Sequence, residues 1–249
     1  MSDVPHIVAG KNPVLEALLQ NRTIEKIYIL HGQQDNKTRQ IYRLARQQRI
    51  PVVTADWRKL HQLAPQMQHQ GVVAMLSPIS LLSLAALLER LEGISHPHFL
   101  VLLDRIQDTH NLGAIIRSAE VLGGKGVILP ERESAPITPA VMKTSSGAIF
   151  HLPIARVTNL GQAIQYLQEK GYWIYGTVKD APTSLWQVDF RRPCGIIIGN
   201  EARGIRPGLL KRCDTVFTIP QKGKTESLNA SVAAGIVFAE FLRQNLMGK

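Results

Sequence analysis

The chain has 249 residues, 45% of them hydrophobic and 19% charged, proportions that suit one large folded domain or two ordinary ones with ample core. Twenty-nine Lys and Arg against nineteen acids leave a formal charge of +10, which favours a polyanionic partner, nucleic acid first. No apolar run approaches the roughly 20 residues of a membrane span, the N-terminal stretch lacks the regions of a secretory signal, and Cys194 and Cys213 form no CxxC pair or disulfide framework, so a reducing cytoplasm is expected.

Two α/β blocks follow in chain order. The first runs from about Val4 to Ser77, with a helix over 12–20, a strand over 24–30 and a basic helix over 37–48. A strand over 50–55 leads to a short helix that Asp56 caps ahead of Trp57, and a strand over 71–76 completes the block. Residues 78–98 are rich in Leu and Ser and read as a connector carrying one amphipathic helix that ends near Gly93. The second block begins at Phe99, with strands over 100–104, 126–130, 152–157, 172–178, 194–200 and 216–220. Helices fit at 112–122, 139–145, 160–170 and 207–211, and a last one starts at Ser231. These strands are short, apolar and β-branched, as strands buried on both faces are. Their alternation with helices implies a parallel sheet.

Ligands of open α/β sheets collect at the carboxyl ends of the strands, and three such junctions in the second block are polar. After the first strand, Asn111 suits the cap of a helix that carries Arg117; a capped helix with one surface Arg is the plain alternative. After the fifth, Gly199 follows three isoleucines and allows close approach to the backbone, with Glu201 just beyond; an ordinary turn reads equally well. After the sixth, Lys222 and Lys224 precede Ser227, Asn229 and Ser231, more short polar side chains than a capped turn requires. The GKT at 223–225 is not a phosphate-cradling loop, because the glycine that motif needs five residues earlier is Thr218. No dinucleotide fingerprint, nucleophile elbow or zinc-protease helix is present, and the eight histidines show no metal spacing. No metal is expected.

Taken together, Asn111-x-Gly113-x-x-x-Arg117, Gly199-x-Glu201-x-x-Gly204 and Ser227-Leu228-Asn229-x-Ser231 resemble, in order and spacing, the three motifs of SpoU-type (SPOUT class) RNA ribose 2'-O-methyltransferases. The block opening with 8–14 looks like that family's small, ribosomal-protein-like substrate-binding domain, so the likeness covers nearly the whole chain. It is similar above all to the bacterial 23S rRNA guanosine 2'-O-methyltransferases, with tRNA as the other substrate.

The resemblance implies an α/β substrate-binding domain over 1–77, a linker over 78–98 and a parallel-sheet α/β catalytic domain with a trefoil knot over 99–249. It further implies homodimers, no membrane, and S-adenosyl-L-methionine held near Gly199, Ile219, Ser227, Leu228 and Asn229. Asn111, Arg117, Glu201 and Asn229 would carry the reaction, with Arg117 a fixed cation at the ribose-phosphate and Glu201 either positioning Arg117 or the loop or, as the alternative, accepting the proton. One departure is visible: the family's Asp-Pro is Asp108-Thr109 here, which is expected to loosen that loop. Lys222 and Lys224 would face RNA phosphates.

Val232, Ile236, Val237 and Phe241 give the last helix an apolar face, which is either core or a dimer contact. In the first block ten Lys and Arg stand against five acids within residues 1–76. Arg39, Arg43 and Arg46 share one helical face with Tyr42 beside them, an RNA-facing surface or an ordinary solvated one. Charge and a small first domain alone equally fit a non-catalytic RNA-binding or ribosome-associated protein, and the sheet alone fits an enzyme of small anionic metabolites. Only catalysis requires Arg117, Glu201 and Asn229 together.

Overall fold

A computed structural model describes residues 7–20, 22–65, 67–76, 79–224 and 227–246. The expected block start at Val4 and the boundary at 77–78 lie outside these residues. The chain divides into two units, one of residues up to Ser80 with Pro136–Pro139, the other of Leu81–Ala135 and Ala140 onward.

The first unit is a four-stranded mixed sheet with the order β1-β4-β2-β3: β1 (Ile7–Ala9), β2 (Ile24–Leu30), β3 (Val52–Ala55) and β4 (Val72–Leu76). β2 runs parallel to β3 and antiparallel to β4, and β1 pairs antiparallel with β4. Alternation along β2 divides the core. Ile27 and Ile29 pack under α1 (Lys11–Leu19) and α2 (Asn36–Gln47), whereas Tyr28 and Leu30 pack beside Leu60 of α3 (Trp57–Leu63). The Asp35 carboxylate caps α2 by accepting from the Lys37 and Thr38 amides; Asp56, as the sequence suggests for that residue alone, caps α3 through the Lys59 amide. α2 buries Thr38, Ile41 and Ala45 and leaves Arg39, Tyr42, Arg43 and Arg46 exposed. Strand β1 is absent from the sequence expectation; it is three residues long and carries no alternation to read.

The second unit is a six-stranded sheet, all of its pairings parallel, in the order β10-β8-β9-β5-β6-β7. Its strands are β5 (Phe99–Asp104), β6 (Gly126–Pro130), β7 (Ile154–Val157), β8 (Trp173–Val178), β9 (Cys194–Gly199) and β10 (Thr215–Thr218). Every residue of β5 and β6 is buried, the signature of a sheet covered on both faces. Leu100 and Leu102 face a core that includes Leu87 of α4 (Leu84–Glu89), Ile164 of α7 (Leu160–Glu169) and Leu209 of α8 (Pro207–Leu210). On the other face Phe99 meets Phe238 and Phe241 of α9 (Ala230–Leu246), with ring centroids 4.9 and 4.8 Å apart. The helix expected between 78 and 98 is only the six residues of α4. Leu82, just before it, bonds to the edge of β7, and Leu87, Leu88 and Leu91 enter the core of this unit.

α6 (Pro139–Thr144) starts where expected, and α5 (Thr109–Val121) begins three residues earlier than expected. Asn111 is therefore not its cap: Asp108 is, accepting from the Asn111 amide at 2.8 Å. Thr109 occupies the first helical turn position, where a proline fits because that amide has no helical partner anyway, so the departure from Asp-Pro leaves the helix start capped. The winding of the chain across the sheet reverses between β5 and β9, which lie side by side at its centre, and a ligand crevice belongs at such a point.

Phe99 is fully buried between α9 and the sheet. Phe99→Ala is expected to cost about 3–5 kcal/mol in unfolding free energy, read by denaturant titration, and Phe99→Leu clearly less.

Candidate active site

The loop leaving β9 is held by the chain itself. A Cβ on Gly199 would stand 2.5 Å from the Gly204 carbonyl carbon and the Ile205 nitrogen, so the glycine is required because residues 199–205 fold back on their own backbone. The close approach expected of a ligand is made by the chain. Gly204, at φ +61°, closes the turn, and its amide donates to the Asn200 carbonyl at 2.7 Å. The Asn200 side-chain oxygen accepts from the Ala202 and Arg203 amides.

Beneath this loop lies Asp104, fully buried at the end of β5. One carboxylate oxygen accepts from the Arg206 amide at 2.7 Å, and the other from the Arg206 guanidinium at 2.7 Å. Arg105, at φ +60°, donates to the Gly204 carbonyl, and its own carbonyl accepts from the Asn200 side chain. A buried carboxylate needs such partners, and here they fix the loop at both ends. Sequence reasoning missed Asp104, Arg105, Asn200 and Arg206. The only available signal was an acid closing an otherwise apolar strand.

What the loop carries is Glu201. Its Oε1 accepts from the Asn111 side-chain amide at 2.9 Å, from the Asn229 side-chain amide, and from the Ala230 backbone amide at 3.1 Å. The Asn229 amide also donates to Asn111 Oδ1 at 2.9 Å. Asn229 Oδ1 in turn caps α9, accepting from the amides of Ser231 and Val232 and from the Ser231 hydroxyl at 2.6 Å. Three of the expected catalytic residues, drawn from three distant junctions, thus form one network. Arg117 does not join it: the side chain is exposed and makes no hydrogen bond or ion pair among the described residues. Glu201 therefore holds the loop and the asparagines, not the arginine.

A cavity of about 330 Å³ opens at the carboxyl ends of β8, β9 and β10. Val178, Ile198, Ile219 and Leu228 give it apolar walls, and Glu201 and Ser227 give it polar ones. Of the residues expected around a cofactor, Gly199, Ile219, Ser227 and Leu228 line it, while Asn229 stands behind Glu201 in the network. Lys222 and Lys224 are exposed on the loop between β10 and α9. Burial pushes the Cys213 thiol up to about 12, helped by the neighbouring Asp214, and raises that of buried Cys194 as well. Neither is a thiolate nucleophile at neutral pH. No group of His, Cys, Asp and Glu among the described residues could hold a metal ion, and no described helix is long and apolar enough to cross a membrane.

Comparison with known proteins gives a consistent result. The family described as SpoU rRNA Methylase matches residues 98–239, and the domain described as RNA 2'-O ribose methyltransferase substrate binding matches residues 7–82. A Bacillus subtilis protein whose name places it in the TrmH family of tRNA/rRNA methyltransferases is 36% identical over 98% of both chains. An uncharacterized tRNA/rRNA methyltransferase of Synechocystis is 42% identical over 96% of this chain, which spans 62% of that relative's length. Among solved structures, the SpoU methyltransferase AviRb from Streptomyces viridochromogenes, in complex with the cofactor AdoMet, aligns with a TM-score of 0.63 and 25% identity. The alignment covers 97% of this chain and 91% of AviRb. An rRNA methyltransferase from Sinorhizobium meliloti shares the fold, with a TM-score of 0.61 over 96% of this chain and 87% of its own.

Gly199→Ala is expected to force the 199–205 turn open at a cost of about 1–3 kcal/mol, visible as a lowered melting temperature. At Gly208, in α8, an added methyl group would meet no atom within 4 Å, so Gly208→Ala should be close to neutral in the same assay.

Proposed function

Because the chain belongs to the SpoU rRNA Methylase family, we propose that it methylates a ribose 2'-hydroxyl in structured RNA, with a guanosine of 23S rRNA as the substrate and S-adenosyl-L-methionine as the methyl donor. The observation that carries this reading is the Asn111–Glu201–Asn229 network at the wall of the 330 Å³ cavity. The ribose assignment is supported by the description of the domain matched at 7–82. Relatives named for both tRNA and rRNA make tRNA the second substrate to test.

The cavity suits the cofactor. Ile198, Ile219 and Leu228 offer apolar faces to an adenine, and Ser227 and Glu201 offer polar contacts to the rest. When bound, S-adenosyl-L-methionine supplies an electrophilic methyl group on a sulfonium centre. The chain's own task is then orientation, which suits a network already closed by hydrogen bonds. Asn229 and Asn111 border the reacting ribose, and Glu201 positions both. Arg117 acts as a fixed cation and not as a base. Its role is to hold the ribose-phosphate and favour departure of the hydroxyl proton.

Residues 1–77 act in this reading as the RNA-selecting domain and 99–249 as the catalytic one, the latter with the knot that family membership implies. Lys222, Lys224 and the exposed Arg39, Arg43 and Arg46 face of α2 supply phosphate contacts. A homodimer is part of the reading. Val237 and Phe241 are spent in the core, but Val232 of α9 and Val121 of α5 stay exposed, at 49% and 68%, on helices packed against each other.

Labelled cofactor and ribosomal RNA should yield a 2'-O-methylated guanosine on nuclease digestion. A base-methylated product would overturn the ribose assignment, and methylation of tRNA alone would overturn the rRNA assignment. Arg117→Ala should lower transfer by about 10²–10³-fold, with cofactor affinity by calorimetry held within about twofold. Changing Arg39, Arg43 and Arg46 to Glu should weaken RNA binding and reduce the salt slope by about 2–3, if each meets a phosphate.

A further inference from the structure

A second cavity, of about 750 Å³, lies within the first unit, where β2 ends and β4 begins. Trp57, at its rim, is 54% exposed. The indole is not loose: the His61 ring stacks on it at 4.8 Å and 11°, and His69 leans against it at 5.7 Å. A large aromatic surface that is both open and held in place is a stacking platform whose ordering cost is already met within the fold.

Polar side chains stand around the cavity as well. His69 is 6% exposed, and its Nδ1 accepts the Gly71 amide at 3.1 Å. In the neutral ring the proton then sits on Nε2, a donor without a partner among the described residues. Gln33 donates through Nε2 to the Gln70 carbonyl at 3.0 Å, yet its Oε1 is buried and accepts nothing. Gly71 makes room for it, since a Cβ there would stand 1.7 Å from that oxygen. Native structures rarely leave a buried acceptor such as Gln33 Oε1 bare. The His69 ring, the open aromatic face of Trp57 and the exposed Arg58 and Lys59 that follow it in sequence suit the edge, the face and the phosphate of a nucleotide.

We propose that this cavity receives a single unpaired nucleobase of the substrate RNA, stacked on Trp57 with its edge toward His69. The inference rests on the chain's being an RNA-modifying enzyme. It adds a base-reading contact to a unit whose other cationic features would hold only phosphates. RNA recognition commonly targets splayed bases of loops and bulges in this manner.

The full-length protein should be titrated with a fluorescent, unstructured oligoadenylate and with a fully paired RNA duplex of equal length, at one salt concentration. Trp57→Ala is expected to weaken oligoadenylate binding by about 5- to 150-fold, the fold-change equivalent of one stacked base. Duplex binding should change by less than about twofold, and Trp57→Phe should keep most of the single-strand affinity. Oligoadenylate should quench tryptophan emission in the natural protein and not in Trp57→Phe. Melting curves of the exposed-site variants should match the natural protein. Equal binding by Trp57→Ala, equal loss for both probes, absence of quenching, or no oligoadenylate binding at all would each overturn the pocket. No methyl transfer is measured, so these outcomes leave the proposed reaction standing or falling on its own test.

Discussion

One carboxylate oxygen organises the candidate site. Glu201 Oε1 gathers amide donors from Asn111 on α5 and from Asn229 and Ala230 at the start of α9, the two asparagines lying 118 residues apart. Charge-assisted hydrogen bonds to one acceptor are worth more than neutral ones, and here they join three strand-to-helix junctions at the reversal point of a parallel sheet. The arrangement needs the loop beneath it to stay still. Asp104 and Arg206 supply that, with Gly199 permitting the backbone to close on itself. Remove the loop's footing and the oxygen loses its aim.

Much of this is legible in the amino-acid sequence. Continuous apolar runs such as 100–104 and 194–199 look like strands buried on both faces, and they are. Asp56 and the polar cluster at 227–231 stand out by residue type. What is not legible depends on distant partners. Asn111 and Asp108 are both good caps by composition; Asn111 is freed from that duty because its side chain is bound to Glu201, 90 residues on. The Asp104–Arg206 pair spans 102 residues and has no local pattern. Gly199 draws notice for the approach of a ligand, when the approaching atoms are its own loop's.

The last helix shows the same limit. Val232, Ile236, Val237 and Phe241 form one apolar face by spacing, yet Val237 and Phe241 are in the core while Val232 is half exposed. Periodicity reports which residues avoid water; it does not say whether the chain or a second molecule covers them. In the first unit, Arg39, Arg43 and Arg46 are visible as a charged face, whereas Trp57, His61 and His69 are not visible as a group. Their rings meet only because α3 and the segment before β4 fold together.

The contrast between Glu201 and Arg117 bears on how the proposed reaction could be selective. The asparagine network is complete in the chain alone, so its orientation is paid for during folding. Arg117 is exposed and unpartnered among the described residues, and a long cationic side chain gives up about 1.5–2 kcal/mol of rotamer entropy when it is fixed. Only a substrate that brings a phosphate within reach returns that cost. In the proposed reading the asparagine pair that borders the ribose is therefore preorganised, whereas the phosphate contact of Arg117 forms only when the RNA supplies it. An isolated nucleoside, having a hydroxyl but no phosphate, could occupy the ribose position without ordering the arginine. Induced ordering of this kind separates polymer from monomer by turnover more than by binding, using a residue that the fold alone leaves idle.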